Sequence, residues 1–166
     1  MIVSTLVRAN SHESREMARN IWWRNQTQAG RRRAIVETAL RDIGKLHHIP
    51  SSKEWVKSVV RSASKGAVEI PMNEGHFRWT PSTDVAAHPR RPLCDVKPGM
   101  IIQMRLIRPN HCPLPHTAIV VQTESDGLLW VDCGWDENRS FVQTHHVSDD
   151  CFKEIVGNFY TVYDII

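Results

Sequence analysis

The spacing of apolar positions divides the chain into a helical part followed by a strand part. In "RRRAIVETALRDIGK", Ile35, Ala39 and Ile43 recur at helical spacing with Val36 and Leu40 beside them, and Gly44 is placed to end the helix. A second stripe, Trp55, Val56, Val59 and Val60, follows "HHIPSS" and stops near Gly66. Ser51 with Glu54 three residues on is the capping-box pattern, which makes Ser52 the first residue of that helix. Upstream, "SHESREMARNIWWRNQTQAG" reads as a helix capped by Ser11, acidic in its first turns and closed by Gly30, with Trp22 and Trp23 packing it on the main body.

From residue 99 the period shortens to that of strands. "MIIQMRLI", "HTAIVVQTES", "LLWVDCGW", "FVQTHHV" and "NFYTVYDII" are predicted strands, Asp126-Gly127 is a hairpin signal, and "SDDCFKEIVG" is a short capped helix before the last strand. Residues 67–97, rich in Pro, Gly and polar side chains, are expected to be a long loop with little regular structure. Helices first and an antiparallel sheet afterwards is an α+β layout with the N-terminal helices packed on one face of the sheet. Residues 1–33 are expected to be a helical extension and residues 34–166 the domain proper.

Composition narrows the function classes only a little. With 166 residues, 41% hydrophobic and 23% charged, the chain suits one domain with one real core. A net charge of +3 is compatible with an anionic polymer as partner. The arginines are not striped with aromatics, which weighs against nucleic acid, and Arg31-Arg32-Arg33 reads as a solvated run at a helix start. No apolar run is long enough for a membrane span. The N-terminal stretch lacks a basic n-region and an A-x-A-like site, so export, if it occurs, is expected to use a non-Sec route toward periplasm or cell wall; the alternative is a cytoplasmic protein. Cys94, Cys112, Cys133 and Cys151 form no CxxC pair, so a zinc ribbon is not indicated and free or buried thiols are expected.

Three residues carry candidate chemistry. At the first position of its helix, Ser52 would meet unsatisfied backbone N–H groups and the positive helix end, which suit an activated nucleophile and an oxyanion. His116 follows Pro115 at the start of a strand and is a candidate general base. Asp132, one hairpin further on, could orient the imidazole. Each alone has an ordinary structural explanation: a cap, a core-edge histidine, a turn aspartate. Cys112 lacks a helix start, Cys94 lacks an obvious base, and Cys133 should point away from Asp132 because strand neighbours face opposite ways. His111, His116 and Asp132 would make a three-ligand zinc set, but no motif frames it, and adjacent histidines such as His145 and His146 offer one ligand at most to any one site. No cofactor or metal is expected.

The order "DIGK", "SSKEWV", "DVKPGMIIQM", "PHTAIVV", "GLLWVDCGW" over roughly residues 34–165 resembles the NlpC-type and CHAP-type papain-fold peptidoglycan hydrolases, with Met100 where an aspartate is usual. The resemblance implies a Cys-His-Asp type cleavage of an amide bond in cell-wall peptides, with Ser52 at the nucleophile position, His116 as base, Asp132 as the orienting residue, and backbone N–H groups of residues 52 and 53 at the oxyanion. Trp55 on the same helix, and His76 and Trp79 in the long loop, are candidate substrate contacts. The family uses cysteine where Ser52 stands. An inactivating Cys→Ser replacement explains this best, because the rest of the site is kept; a natural serine hydrolase and a binding pseudoenzyme are the alternatives. The resemblance also implies that the chain could be an antibacterial effector delivered by a contractile injection apparatus, with a cognate immunity protein as partner. A hydrolase of another amide or ester remains a further alternative.

Overall fold

The computed structural model describes residues 2–47, 51–70, 84–107, 113–134 and 141–166. Helix α1 (Ile2–Arg24) is followed after a short break by α2 (Gln28–Arg41). Ser11 is therefore interior to α1 rather than its cap: no Pro or Gly occurs before it to stop the helix. Thr27 caps α2, accepting the Gly30 N–H at 3.0 Å, so Gly30 belongs to the first turn of a helix instead of ending one. The arginine run is also more structural than expected. Arg31 donates to the Gln26 carbonyl and the Gln28 side chain at 2.6 and 2.8 Å, and Arg32 grips Asp164 through Nε at 3.0 Å and Nη2 at 2.5 Å.

The expected boundary at residue 33 falls inside α2. Gln28 and Arg32, on the N-terminal side of that boundary, both bond the last strand, and Trp23 is 3% exposed in the main core. The Lys65 ammonium caps the Trp22 ring at 4.1 Å, adding a second tie between α1 and the body.

Helix α3 (Ser52–Ala63) starts as expected: the Ser51 side chain accepts the Glu54 N–H at 3.3 Å. Trp55, Val56, Val59 and Val60 are all buried. Strand β1 (Val85–Pro89) lies within the segment expected to be an irregular loop. It has no apolar alternation, and Pro89 is tolerated because β1 is an edge strand paired only with the last strand. A 3-10 turn (Leu93–Asp95) leads to β2 (Ile101–Leu106), β3 (Leu114–Glu124), β4 (Gly127–Cys133), β5 (Val142–Ser148), α4 (Asp149–Ile155) and β6 (Tyr160–Ile165).

The six strands form one antiparallel sheet in the order β1-β6-β2-β3-β4-β5. Side chains alternate across it. Ile101, Ile119, Val131, Cys133 and Tyr163 face α2 and α3, whereas Ile102, Met104, Ala118, Val120, Leu128 and Trp130 face the side covered by Phe152 of α4. The helices α2 and α3 thus share one face, and the short α4 closes the other.

Two glycines are needed for close approach. Gly99 has φ +90°, and a Cβ there would meet Arg32 at 2.5 Å, so the turn before β2 lets α2 lie directly on it. Gly127 pairs with Glu124 across a Ser125-Asp126 turn, and a Cβ there would come within 2.2 Å of the Val147 carbonyl. The Asp-Gly signal located the hairpin, but the glycine serves contact with β5 rather than turn geometry.

Candidate active site

The site forms where the start of α3 meets the start of β3. Because Ser51 is the cap, Ser52 occupies the first helical turn, where backbone N–H groups have no partner within the helix. Its Oγ accepts the N–H of Thr117 at 3.0 Å, although 65 residues separate the two in the chain. Thr117 is the neighbour of His116, so the hydroxyl lies against the backbone on which the histidine is mounted.

His116 is 4% exposed and sits opposite Met104 of β2. Its Nε2 is 2.8 Å from Oδ2 of Asp132, which is fully buried on β4 opposite Ala118. An ionised carboxylate can only accept, so Nε2 carries the proton and Nδ1 is the basic nitrogen of the neutral ring. Nδ1 is also the ring nitrogen nearer the backbone. The structure therefore pairs His116 with Asp132 and sets the Ser52 hydroxyl against the backbone N–H that follows His116.

Two more donors surround Asp132. Trp130, two residues earlier on the same strand and so on the same face, donates its indole N–H to Oδ2 at 2.9 Å. His145, the cross-strand partner of Trp130 on β5, holds Nε2 3.1 Å from Oδ1, within reach though not aligned as a hydrogen bond. Burial by itself would raise the Asp132 carboxyl, but the contacts from His116 and His145 outweigh it and hold it below the usual carboxylate range. Next to it, Cys133 points into the opposite apolar layer, and burial pushes its thiol up to about 11, which unfits it as a nucleophile at neutral pH.

Lys53, adjacent to Ser52 and only 8% exposed, is lowered to about 8 by burial. Trp55 does not meet the expectation of a substrate contact. It is fully buried and its indole N–H is donated to Asp42 at 3.1 Å, because the apolar stripe that makes α3 amphipathic also turns this ring into the core. His76 and Trp79 lie outside the described residues, as do Cys112 and the His111 of the zinc alternative. Cys94, Cys133 and Cys151 are free thiols.

Trp130 was missed in the sequence, although its place two residues before Asp132 on one strand sets both side chains on one face. His145 was not legible there, because its place beside Asp132 depends on the register of β5 against β4. As alternation requires, His145 and His146 diverge: His146 Nε2 lies 2.5 Å from Oε2 of Glu124. Glu124, Asp126 and His146 have potential ligand atoms within 4.8 Å of one another, but all three are exposed and the imidazole is already taken by the glutamate.

No family model matches the chain, and no curated protein matches it. Solved structures do. The crystal structure of Ly7917 is similar with a TM-score of 0.60 at 11% identity, over 81% of this chain and 62% of that one. A second structure, of Ly7917 with the hydrolysing product of MDP, is similar at the same TM-score and identity, over 81% of this chain and 63% of that one. The chain thus spans less than two thirds of the length of these structures, and what it shares with them is the fold: helices packed on a six-stranded antiparallel sheet.

Proposed function

We propose that the chain is a papain-fold hydrolase of NlpC or CHAP type that cleaves an amide bond in peptidoglycan peptides, with residue 52 as its nucleophile position. The observation that carries this reading is the contact between the Ser52 hydroxyl and the Thr117 N–H at 3.0 Å, beside a histidine whose far nitrogen is held by a buried aspartate at 2.8 Å. The similarity in fold to a protein crystallised with the hydrolysing product of MDP supports a cell-wall peptide as the substrate.

In this reading the nucleophile at position 52 attacks the amide carbonyl carbon while its proton passes to Nδ1 of His116. The imidazolium is stabilised by Asp132, and N–H groups of residues 52 and 53 at the helix start hold the oxyanion. Collapse of the tetrahedral intermediate breaks the C–N bond, and His116 gives its proton to the leaving amine. Water, deprotonated by the same nitrogen, then releases the acid and restores the nucleophile. A thiol is ionised far more readily than a hydroxyl in this setting, so Ser52 is read as the replacement of a cysteine. Action as an antibacterial effector, opposed by an immunity protein, belongs to the same proposal and rests on the family resemblance.

The test is peptidoglycan digestion read by mass spectrometry with three proteins: this chain, Ser52→Cys, and Ser52→Cys with His116→Ala. Release of peptide fragments by Ser52→Cys alone is the expected result, and the fragment masses name the bond. A second reading is a wall-binding protein in which the Ser52 hydroxyl only ties α3 to β3, as the Thr117 contact allows. It gains if Ser52→Cys binds the wall, stays folded and releases nothing.

A further inference from the structure

Asp132 has more partners than the orientation of one imidazole requires. Its Oδ2 is engaged by His116 at 2.8 Å and by Trp130 at 2.9 Å, while Oδ1 faces His145 at 3.1 Å. The carboxylate is fully enclosed, and the His116 and His145 side chains are 4% and 21% exposed. Rotation of an aspartate about its last bond is soft and two-fold. With only Oδ2 fixed, the group could tilt and draw the His116 ring with it. His145 lying against Oδ1 from a different strand limits that freedom.

We infer that His145 is a positioning residue of the hydrolytic site: by lying against Oδ1 of Asp132 from β5, it keeps Oδ2 aligned with His116 Nε2 and so fixes the orientation of the His116 ring. The inference rests on the reading of Ser52, His116 and Asp132 as catalytic, and extends it to a residue on a fourth element of the fold. His145 acts through Asp132, whose Oδ1 it faces. Trp130 cannot replace it, because the indole donates to the oxygen already shared with His116. His146, although adjacent, cannot either, because it faces Glu124.

The experiment uses the full chain carrying Ser52→Cys, with peptidoglycan as substrate, and adds His145→Phe or His145→Gln. The expected result for His145→Phe is a fall in kcat of at least roughly tenfold with KM little changed, since His145 acts on the orientation of His116 through Asp132. The glutamine amide can present an N–H to Oδ1, so His145→Gln should recover most of the loss. A second readout needs no activity. The low-field proton resonance of His116 Nε2–H, hydrogen-bonded to Asp132, should shift or broaden in His145→Phe and return in His145→Gln. If the phenylalanine protein does not fold, His145→Leu makes the same comparison with a smaller side chain at this partly exposed position. Unchanged kcat and an unchanged resonance in a folded His145→Phe or His145→Leu protein overturn the inference. An inactive Ser52→Cys parent instead sinks the hydrolase reading, and the positioning role with it, and is told apart by the parent's own inactivity.

Discussion

Asp132 and Cys133 are consecutive residues of one strand, both fully buried, and their environments are opposite. The carboxylate is ringed by His116, Trp130 and His145 and is held below its ordinary range; the thiol lies among Ile119, Val131, Val142 and the α3 valines and is pushed up to about 11. Burial disfavours the charged form in both cases. What decides the outcome is whether donors are mounted on the same face. The α2–α3 face of the sheet is dry along β4, and the opposite face changes from the apolar layer around Phe152 to a polar cluster at the end where α3 begins.

The strongest way to break that contrast is to move the charge across the strand. Cys133→Asp places a carboxylate in the apolar layer with no histidine to meet it, and should cost about 4 kcal/mol or more, enough to abolish a cooperative urea transition at neutral pH. Removing the charge from its proper face costs slightly less. Asp132→Ala leaves the donors of His116 and Trp130 without their acceptor and should lower stability by about 3–5 kcal/mol in the same measurement.

Acid titration sharpens the comparison without changing packing. The folded-state pKa of Asp132 is depressed, so its contribution to stability is present above the unfolded value and is lost as pH falls through the folded one. Urea midpoints of this chain should therefore hold at neutral pH and decline below about pH 4. In Asp132→Asn the decline should be shallower; an identical slope would remove Asp132 from the account. Lys53 has the opposite sign. Its ammonium is disfavoured by burial and its folded pKa of about 8 lies below the unfolded one, so it penalises the fold at neutral pH and the penalty fades as pH rises through that value. Lys53→Met should gain about 1 kcal/mol at pH 7 and less at pH 10, measured by thermal melting at both.

Local chemistry made the start of α3 legible in the sequence. A capping serine, a glutamate three residues on and an apolar stripe suffice to place Ser52 in the first turn, and the Pro-His pair opening a β-branched run suffices to place His116 at a strand start. Alternation likewise predicted that Cys133 would turn away from Asp132, and that His145 and His146 would part. Trp55 shows the limit of such patterns. The stripe identified its helix, but whether the ring faced a groove or the core depended on what α3 packed against, and the sheet with Asp42 made it core.

Other features required the assembled fold. Strand β1 has no periodic signal because an edge strand draws its hydrogen bonds from β6, far away in the chain. Arg32 looked like a solvated charge until Asp164 of β6 came under it. Above all, the sequence determined that Ser52, His116 and Asp132 would each stand at a chemically useful place on its own element. Tertiary structure decided that His116 meets Asp132, that Ser52 reaches the Thr117 N–H, and that His145 comes to the other oxygen of Asp132. Hydrophobic period is a property of neighbouring residues in the chain, whereas register between strands is set only when the sheet is built.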